Sequence, residues 1–409
     1  MDRAALASAF EQAFGPGQPP RFVLSPGRVN LIGEHTDYNA GYVCPMAIEP
    51  HVLFAFRGRT DPQVRVGSTH FPGELVEFNL NRPIEPNPDS EHWSNYVRGI
   101  ASELLHKGVP LAGVDVLMAN TLPTGSGLSS SAAVEVGMGK VLLAAAGQEV
   151  EAPALAILAQ QAEHNFPKVM CGIMDQMIVA TGKRDHAMLL DCRSLERKYL
   201  PIDSRDLRVV IVNSMHKHAL AGDADSVTLP DGSVSRGTPY NMRRLACETG
   251  VMEIRKANPR AKSLRDATLA MLENARPALT ELIYRRCRHV ITEIDRCEKF
   301  AAFMRESRYD EAGALMVQSH ESLRDDYEVS AGPLDFLAAE AMKTKGVYGS
   351  RMTGAGFGGC TVSLVQPRAV EPFTANITAA YEARYNKTPQ VIVTTATDGA
   401  RVLAADERG

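Results

Sequence analysis

Four side chains able to bind polar groups or move protons crowd the run Gly27-Arg-Val-Asn-Leu-Ile-Gly-Glu-His-Thr-Asp-Tyr38: Arg28, Glu34, His35 and Asp37. Phe22-Val-Leu24 before it reads as a strand end, Pro26-Gly27 as a break, and the rest as a segment too glycine-rich for a plain helix. Charges packed beside a buried strand are costly unless they pair or bind something. Together they offer the polar contacts that a small polyhydroxylated ligand needs; the plain alternative is a surface turn with solvated charges. A second chemistry lies in Pro123-Thr-Gly-Ser-Gly-Leu-Ser-Ser-Ser-Ala-Ala133. Gly125, Ser126 and Gly127 let backbone approach a ligand closely, and beyond Leu128 a helix starting at about Ser129 aims its N–H groups and positive dipole end at the same place. Phosphate is the natural guest, with Ser129, Ser130 and Ser131 adding hydroxyls, although a serine-rich helix start can also be a simple N-cap. No GxxxxGK[ST], HRD or DFG element occurs, which excludes the common nucleotide loop with its lysine and the protein-kinase catalytic set.

Two acids complete the set. Glu163 stands near the end of the apolar stretch Pro153-Ala-Leu-Ala-Ile-Leu-Ala-Gln-Gln-Ala-Glu-His-Asn-Phe166. It is either solvated or one of the one or two carboxylates that magnesium commonly takes from a protein. Asp175 is the lone acid in Cys171-Gly-Ile-Met-Asp-Gln-Met-Ile-Val179. It is a functional acid, a helix cap or a buried ion-pair partner.

Taken in order, these two glycine-containing motifs and Met352-Thr-Gly-Ala-Gly-Phe-Gly-Gly-Cys360 resemble the three motifs of the galactokinases. That family sits in the GHMP kinase superfamily, which also phosphorylates homoserine, mevalonate and phosphomevalonate. The likeness runs from about residue 21 to about residue 403. It implies an α+β fold of two domains, an N-terminal ribosomal-protein-S5-like domain and a C-terminal ferredoxin-like domain. It also implies transfer of phosphate from ATP to the C1 hydroxyl of galactose. On motif matching, Asp175 would be the general base and Arg28 would lie against it and the transferring phosphate. Asp37 would take O3 and the axial O4, Glu34 and His35 the O6 hydroxymethyl, with Thr36 in the same motif, the Gly172 backbone lining the pocket and Tyr240 on the O4 side. The loop Gly125, Ser126, Gly127, Leu128, Ser129, Ser130 and Ser131 would cradle the nucleotide phosphates, and Ser131 with Glu163 would hold Mg2+. Trp93 and Tyr96 resemble the family's adenine-side aromatics, with core packing as the alternative. The third motif reads as a tight strand-to-strand turn with close backbone approach, and in the family it packs on the phosphate loop and the substrate.

Three competitors remain. A kinase for N-acetylgalactosamine or another sugar would share the Glu-His-x-Asp cluster, which says little about the C2 substituent. Galactose- and ATP-binding regulators related to galactokinase lack part of the Ser-Ser-Ser-Ala stretch, which is whole here. A homoserine or mevalonate kinase is opposed by the intact Glu34-His35-Thr36-Asp37.

The elements that must position these residues follow from periodicity. Strand-like runs at 21–24, 43–46, 51–57, 64–68 and 113–118 come first; helical spacing follows at 128–146 and 153–166. After strands at 187–191 and 207–212, helices are expected at 264–273, 278–305, 309–324 and 372–385, with a last strand at 391–395. The 409 residues exceed one usual core, so we divide the chain into 1–206 and 207–409. Residues 222–239, dense in turn formers, are expected to form a mobile surface loop. A net charge of -4 with both signs interspersed gives no stripe for nucleic acid and no polybasic membrane patch, so the expected partners are small molecules. Seven cysteines without CxxC pairing argue against a disulfide framework and a zinc site. The first residues are too polar for a signal peptide and no run approaches a membrane span, so a cytoplasmic protein is expected; no obligatory protein partner is evident, and a monomer is expected.

Overall fold

The computed structural model describes residues 2–89, 92–123, 125–216 and 225–404. Its strands, in chain order, begin with β1 (Arg21–Asn30), β2 (Tyr42–Val43), β3 (Pro45–Gly58), β4 (Gln63–Ser68), β5 (Phe71–Asn79) and β6 (Val114–Asn120). They continue with β7 (His186–Asp191), β8 (Arg197–Pro201), β9 (Arg208–Asn213), β10 (Asp225–Thr228) and β11 (Val234–Gly237). The last are β12 (Val347–Thr353), β13 (Cys360–Val365), β14 (Gln390–Thr394) and β15 (Arg401–Val402). One sheet has the order β15-β1-β3-β6-β4-β5 and is antiparallel except where β4 pairs with β6. A second, antiparallel, has the order β12-β13-β9-β14. Small sheets β2-β7-β8 and β10-β11 complete the set.

The helix Ser130–Ala146 lies on β1 and β3, backed by the helices Ser94–His106 and Ala152–Asn165. Its apolar face and the alternating residues of those strands form a core with Val23, Phe54 and Val136 wholly buried, and this core runs on through Phe300 and Val362 of the second half. Helix and sheet together form the α+β architecture expected.

Three expectations need correction. Pro26-Gly27 does not end the first strand: β1 continues to Asn30, and its pairing with β3 slips between Pro26, opposite His51, and Gly27, opposite Ile48. The extra residues Glu49 and Pro50 bulge out of the partner strand, which accommodates a proline that has no N–H to give the ladder. Arg28 therefore stands in a strand, with its N–H on the Leu128 carbonyl at 3.1 Å. The run expected as one helix at 264–273 is a short turn Leu264–Asp266 followed by a helix Leu269–Ala275, because Thr268 caps the second piece by accepting from Met271 N. The segment expected as a loop at 222–239 contains the β10–β11 hairpin; its residues 222–224 lie outside the described residues.

Candidate functional site

The floor of the site is an ion pair. Arg28, rigid in β1, points both edges of its fork at Asp175 in the first turn of the helix Met174–Thr181: Nε to Oδ1 at 2.7 Å and Nη2 to Oδ2 at 2.6 Å. The third guanidinium nitrogen donates to the Gly127 carbonyl. Burial works against the charge on Arg28, but Asp175, with Glu34 and Asp37 behind it, raises its pKa above the ordinary value. The arginine side chain is 6% exposed and the aspartate 26%, so the carboxylate meets the cleft.

Ser129 supplies the third member. Its backbone is left-handed (φ 59°), so the helix starts one residue later than expected, and its hydroxyl caps nothing: it donates to Asp175 Oδ2. The N-cap alternative falls, since the side chain is turned to the cleft. Ser130 and Ser131 line the cleft beside it, whereas Ser126 donates its hydroxyl to Pro123 O at 2.6 Å and Leu128 is buried in the core. Gly125 and Gly127 carry positive φ and let the loop fold over the helix N-terminus. The third motif closes on it. A Cβ at Gly359 would stand 2.6 Å from Ser126 O, a contact only glycine permits.

One side of the cleft is acidic. Glu163 is buried, its pKa pushed up to about 7 by burial and then by Asp175, and Ser131 and Gln176 hydrogen-bond it. Gln176 Nε2 donates to Glu163 Oε2 at 2.5 Å and to Glu135 Oε2 at 3.2 Å. Glu135 is wholly buried, and burial followed by the Glu163 charge raises its pKa well above the ordinary carboxylate value. Sequence reasoning missed Glu135 and Gln176. The available signals were Glu135 four residues after Ser131 on the same helix face and Gln176 beside Asp175 in an apolar run.

The opposite wall carries the first motif. Asp37 begins a single helical turn, Asp37–Asn39, and takes the Tyr38 N–H on Oδ1 at 3.0 Å. Burial, then repulsion from Asp175, pushes its pKa up to about 7. Gly172 packs tightly here: a Cβ would fall 1.9 Å from Asp37 Oδ2, so any larger residue would push the carboxylate aside. Glu34 is 2% exposed, and burial raises its pKa. Its Oε1 accepts from Gly354 N at 2.7 Å and lies 3.5 Å from Arg351 Nη1, while Oε2 accepts from Asn30 Nδ2 at 2.8 Å. Burial and then His289 keep His35 neutral. Its Nε2 sits 3.1 Å from the Ala355 carbonyl and so carries the hydrogen; Nδ1 accepts from the Tyr38 hydroxyl at 2.8 Å. Tyr38 in turn takes the Tyr327 hydroxyl at 2.7 Å. The Tyr240 ring lies 5.8 Å from His35 and 5.4 Å from Tyr38.

These residues line one cleft of about 580 Å³, which brings together Arg28, Glu34, His35, Asp37, Gly172, Asp175, Tyr240, Glu163, Tyr96 and the loop 125–131. Two expected residues stand elsewhere. The Thr36 hydroxyl sits 2.8 and 2.6 Å from the Gly33 and Tyr42 carbonyls and locks the turn. Trp93 stacks on Phe71 and donates Nε1–H to Glu74 at 2.7 Å, off the cleft wall. Arrangement and charge suit phosphoryl transfer: a carboxylate facing an acceptor pocket, a phosphate loop beside it and a cation between.

The chain as a whole is similar to known proteins. A galactokinase galactose-binding signature matches residues 8–58, the GHMP kinases N-terminal domain 95–183 and the GHMP kinases C-terminal region 300–383. The chain is 42% identical over 407 residues to a galactokinase of Chloroflexus aggregans, covering 100% of this chain and 99% of that one. Galactokinase of Bos taurus is 40% identical over 406 residues, covering 98% and 96%. The crystal structure of Lactococcus lactis galactokinase complexed with galactose superposes with a TM-score of 0.90 at 33% identity, covering 98% of this chain and 99% of that one.

Proposed function

Because this chain belongs to the galactokinases of the GHMP kinase family, enzymes that phosphorylate galactose with ATP, we propose that Asp175 is the base which takes the proton of the galactose C1 hydroxyl. The observation that carries this is the Arg28 fork on Asp175 at the cleft floor. Oδ2 already accepts from Arg28 and Ser129, while Oδ1 accepts only the Arg28 Nε–H and keeps an acceptor position for the sugar. As O1 attacks the γ-phosphorus and the bond to the ADP oxygen breaks, Arg28 offsets negative charge on the transferring group. Holding both charges in one rigid fork also keeps the acceptor oriented before reaction.

Asp37 accepts the O3 and axial O4 hydroxyls, the Gly172 backbone and Tyr240 close the pocket around them, and Glu34 Oε2 retains a lone pair for O6. His35, with both ring nitrogens engaged by protein, shapes that end of the pocket. Tyr96 lines the cleft with Ser130 and the rest of the loop and would face the nucleotide.

The residues at Ser131 and Glu163 fit a magnesium ion: both offer hard oxygens beside the phosphate loop, and Gln176 holds Glu163 in place. With only Ser131 and Glu163 from the protein, an ion held there would leave the rest of its shell to phosphate and water. When bound, it would neutralise polyphosphate charge.

The reading keeps the division at 206/207: the first part carries the floor, the second brings Tyr240 and the third motif. None of the described helices is long and apolar enough to cross a membrane. All seven cysteines are free, which suits a cytoplasmic enzyme, and we read it as a monomer.

A coupled ADP assay with product identification by NMR tests the assignment. The expected product is galactose 1-phosphate; phosphate on O6, or turnover only on a non-sugar alcohol, overturns it.

A further inference from the structure

The cleft is an acidic place to receive a polyanion. Carboxylates of Glu34, Asp37, Glu163 and Asp175 line it against two permanent cations, Arg28 and Lys168, His35 being neutral. Arg28 is already engaged on Asp175 and Gly127. The phosphate loop itself, Gly125-Ser-Gly-Leu-Ser-Ser-Ser131, contains no lysine or arginine. Lys168 is placed differently. It lies exposed on the cleft wall, in the link between the helix bearing Glu163 and the helix bearing Asp175, and its ammonium has no ion-pair or hydrogen-bond partner among the described residues. Its backbone is left-handed, φ 64°, a conformation that L-residues other than glycine disfavour, and the link is pinned there by Val169 N on the Glu163 carbonyl at 3.2 Å. A free cation held in a strained link beside the metal-binding acid is what a phosphate oxygen would meet.

We infer that Lys168 binds the polyphosphate of ATP, supplying the cation that the loop lacks. This rests on the kinase reading of the cleft. The galactose 1-phosphate product offers the same oxyanion chemistry, so the experiment separates the two. The full chain is prepared as wild type, Lys168→Ala, Lys168→Gly and Lys168→Arg. Each is titrated by calorimetry with magnesium and a non-hydrolysable ATP analogue at low and high salt, and KM for ATP, KM for galactose and inhibition by galactose 1-phosphate are measured. Lys168→Ala and Lys168→Gly should each weaken the analogue and raise KM for ATP about tenfold, leave KM for galactose unmoved, and lose less at high salt, where an exposed charge is screened. Lys168→Arg should restore most of the affinity. Analogue affinity unchanged in Lys168→Ala overturns the inference. So does wild-type affinity in Lys168→Gly, which would assign the effect to the backbone, or a loss confined to galactose 1-phosphate. Wild-type turnover of galactose, measured alongside, tests the kinase reading by itself.

Discussion

The floor of the cleft and its sugar wall are built in opposite ways. Arg28, Gly127, Ser129 and Asp175 lie within the first half of the chain and bond directly to one another. The wall is held from far away. Gly33 N donates to Glu293 at 2.9 Å, His289 reaches the Glu34 carbonyl at 3.2 Å, Gly354 N and Arg351 hold the Glu34 and Asn30 oxygens, and Ala355 takes His35. These partners are separated by 255 to 321 residues in sequence. The difference teaches where the two jobs of the enzyme reside. On the roles proposed above, proton and phosphoryl transfer would depend on a compact ion pair drawn from the first part of the chain, while sugar recognition would depend on distant residues packed behind the first motif.

The largest effect should come from the floor. Asp175→Asn should fold and still bind galactose by calorimetry, yet lose turnover by roughly 10²–10⁴-fold, the usual worth of a positioned general base; Arg28→Lys should recover little because the fork is lost. Parallel loss of sugar affinity in Asp175→Asn would erase the separation between floor and wall. The wall is next. In Gly172→Ala the new methyl displaces the Asp37 carboxylate, and the O3 and O4 hydroxyls left without it should weaken galactose about tenfold to hundredfold in kcat/KM. An unaltered KM for galactose would remove Asp37 from the sugar.

The smallest effect is in stability. Asp37 has a folded pKa of about 7, raised by burial and Asp175, against about 4 in the unfolded chain. A raised pKa favours the fold at low pH, and that advantage is lost as pH rises to about 7. Asp37→Asn removes the penalty, so in ligand-free melts its midpoint should exceed the wild-type value by a few degrees at pH 8 and by nothing at pH 4. Saturating galactose should then stabilise the wild type more than the variant. A midpoint difference independent of pH would show that Asp37 is not strained by its surroundings.

The same contrast decides how much was legible in the sequence. The floor was readable because each of its members belongs to a local pattern: Arg28 to the first motif, Gly127 and Ser129 to the glycine–serine loop, and Asp175 conspicuous as an acid among Ile173, Met174, Met177 and Ile178. Long helices such as Glu281–Arg305 showed through their apolar spacing. The wall's supports were not readable. Glu293, His289 and Arg351 look like ordinary charged positions on a helix and a strand, and only the fold brings them under the first motif. Glu135 and Gln176 were hidden likewise, each a single polar residue whose partner is on another helix. The run of β1 through Pro26-Gly27 required a bulge at Glu49-Pro50, which propensity in either strand alone does not reveal. Trp93 was ambiguous because an aromatic residue at a helix start carries the same signal whether it meets a base or packs, as against Phe71 here, on another ring.

Recognition of the axial O4 by Asp37 and Tyr240 is the claim that ties the wall to the floor, and kcat/KM of the wild-type enzyme for galactose and for glucose measures it most directly. A hydroxyl pocket left unfilled costs about 1–3 kcal/mol, so glucose should be at least tenfold to hundredfold poorer. Equal use of the two sugars would contradict the account.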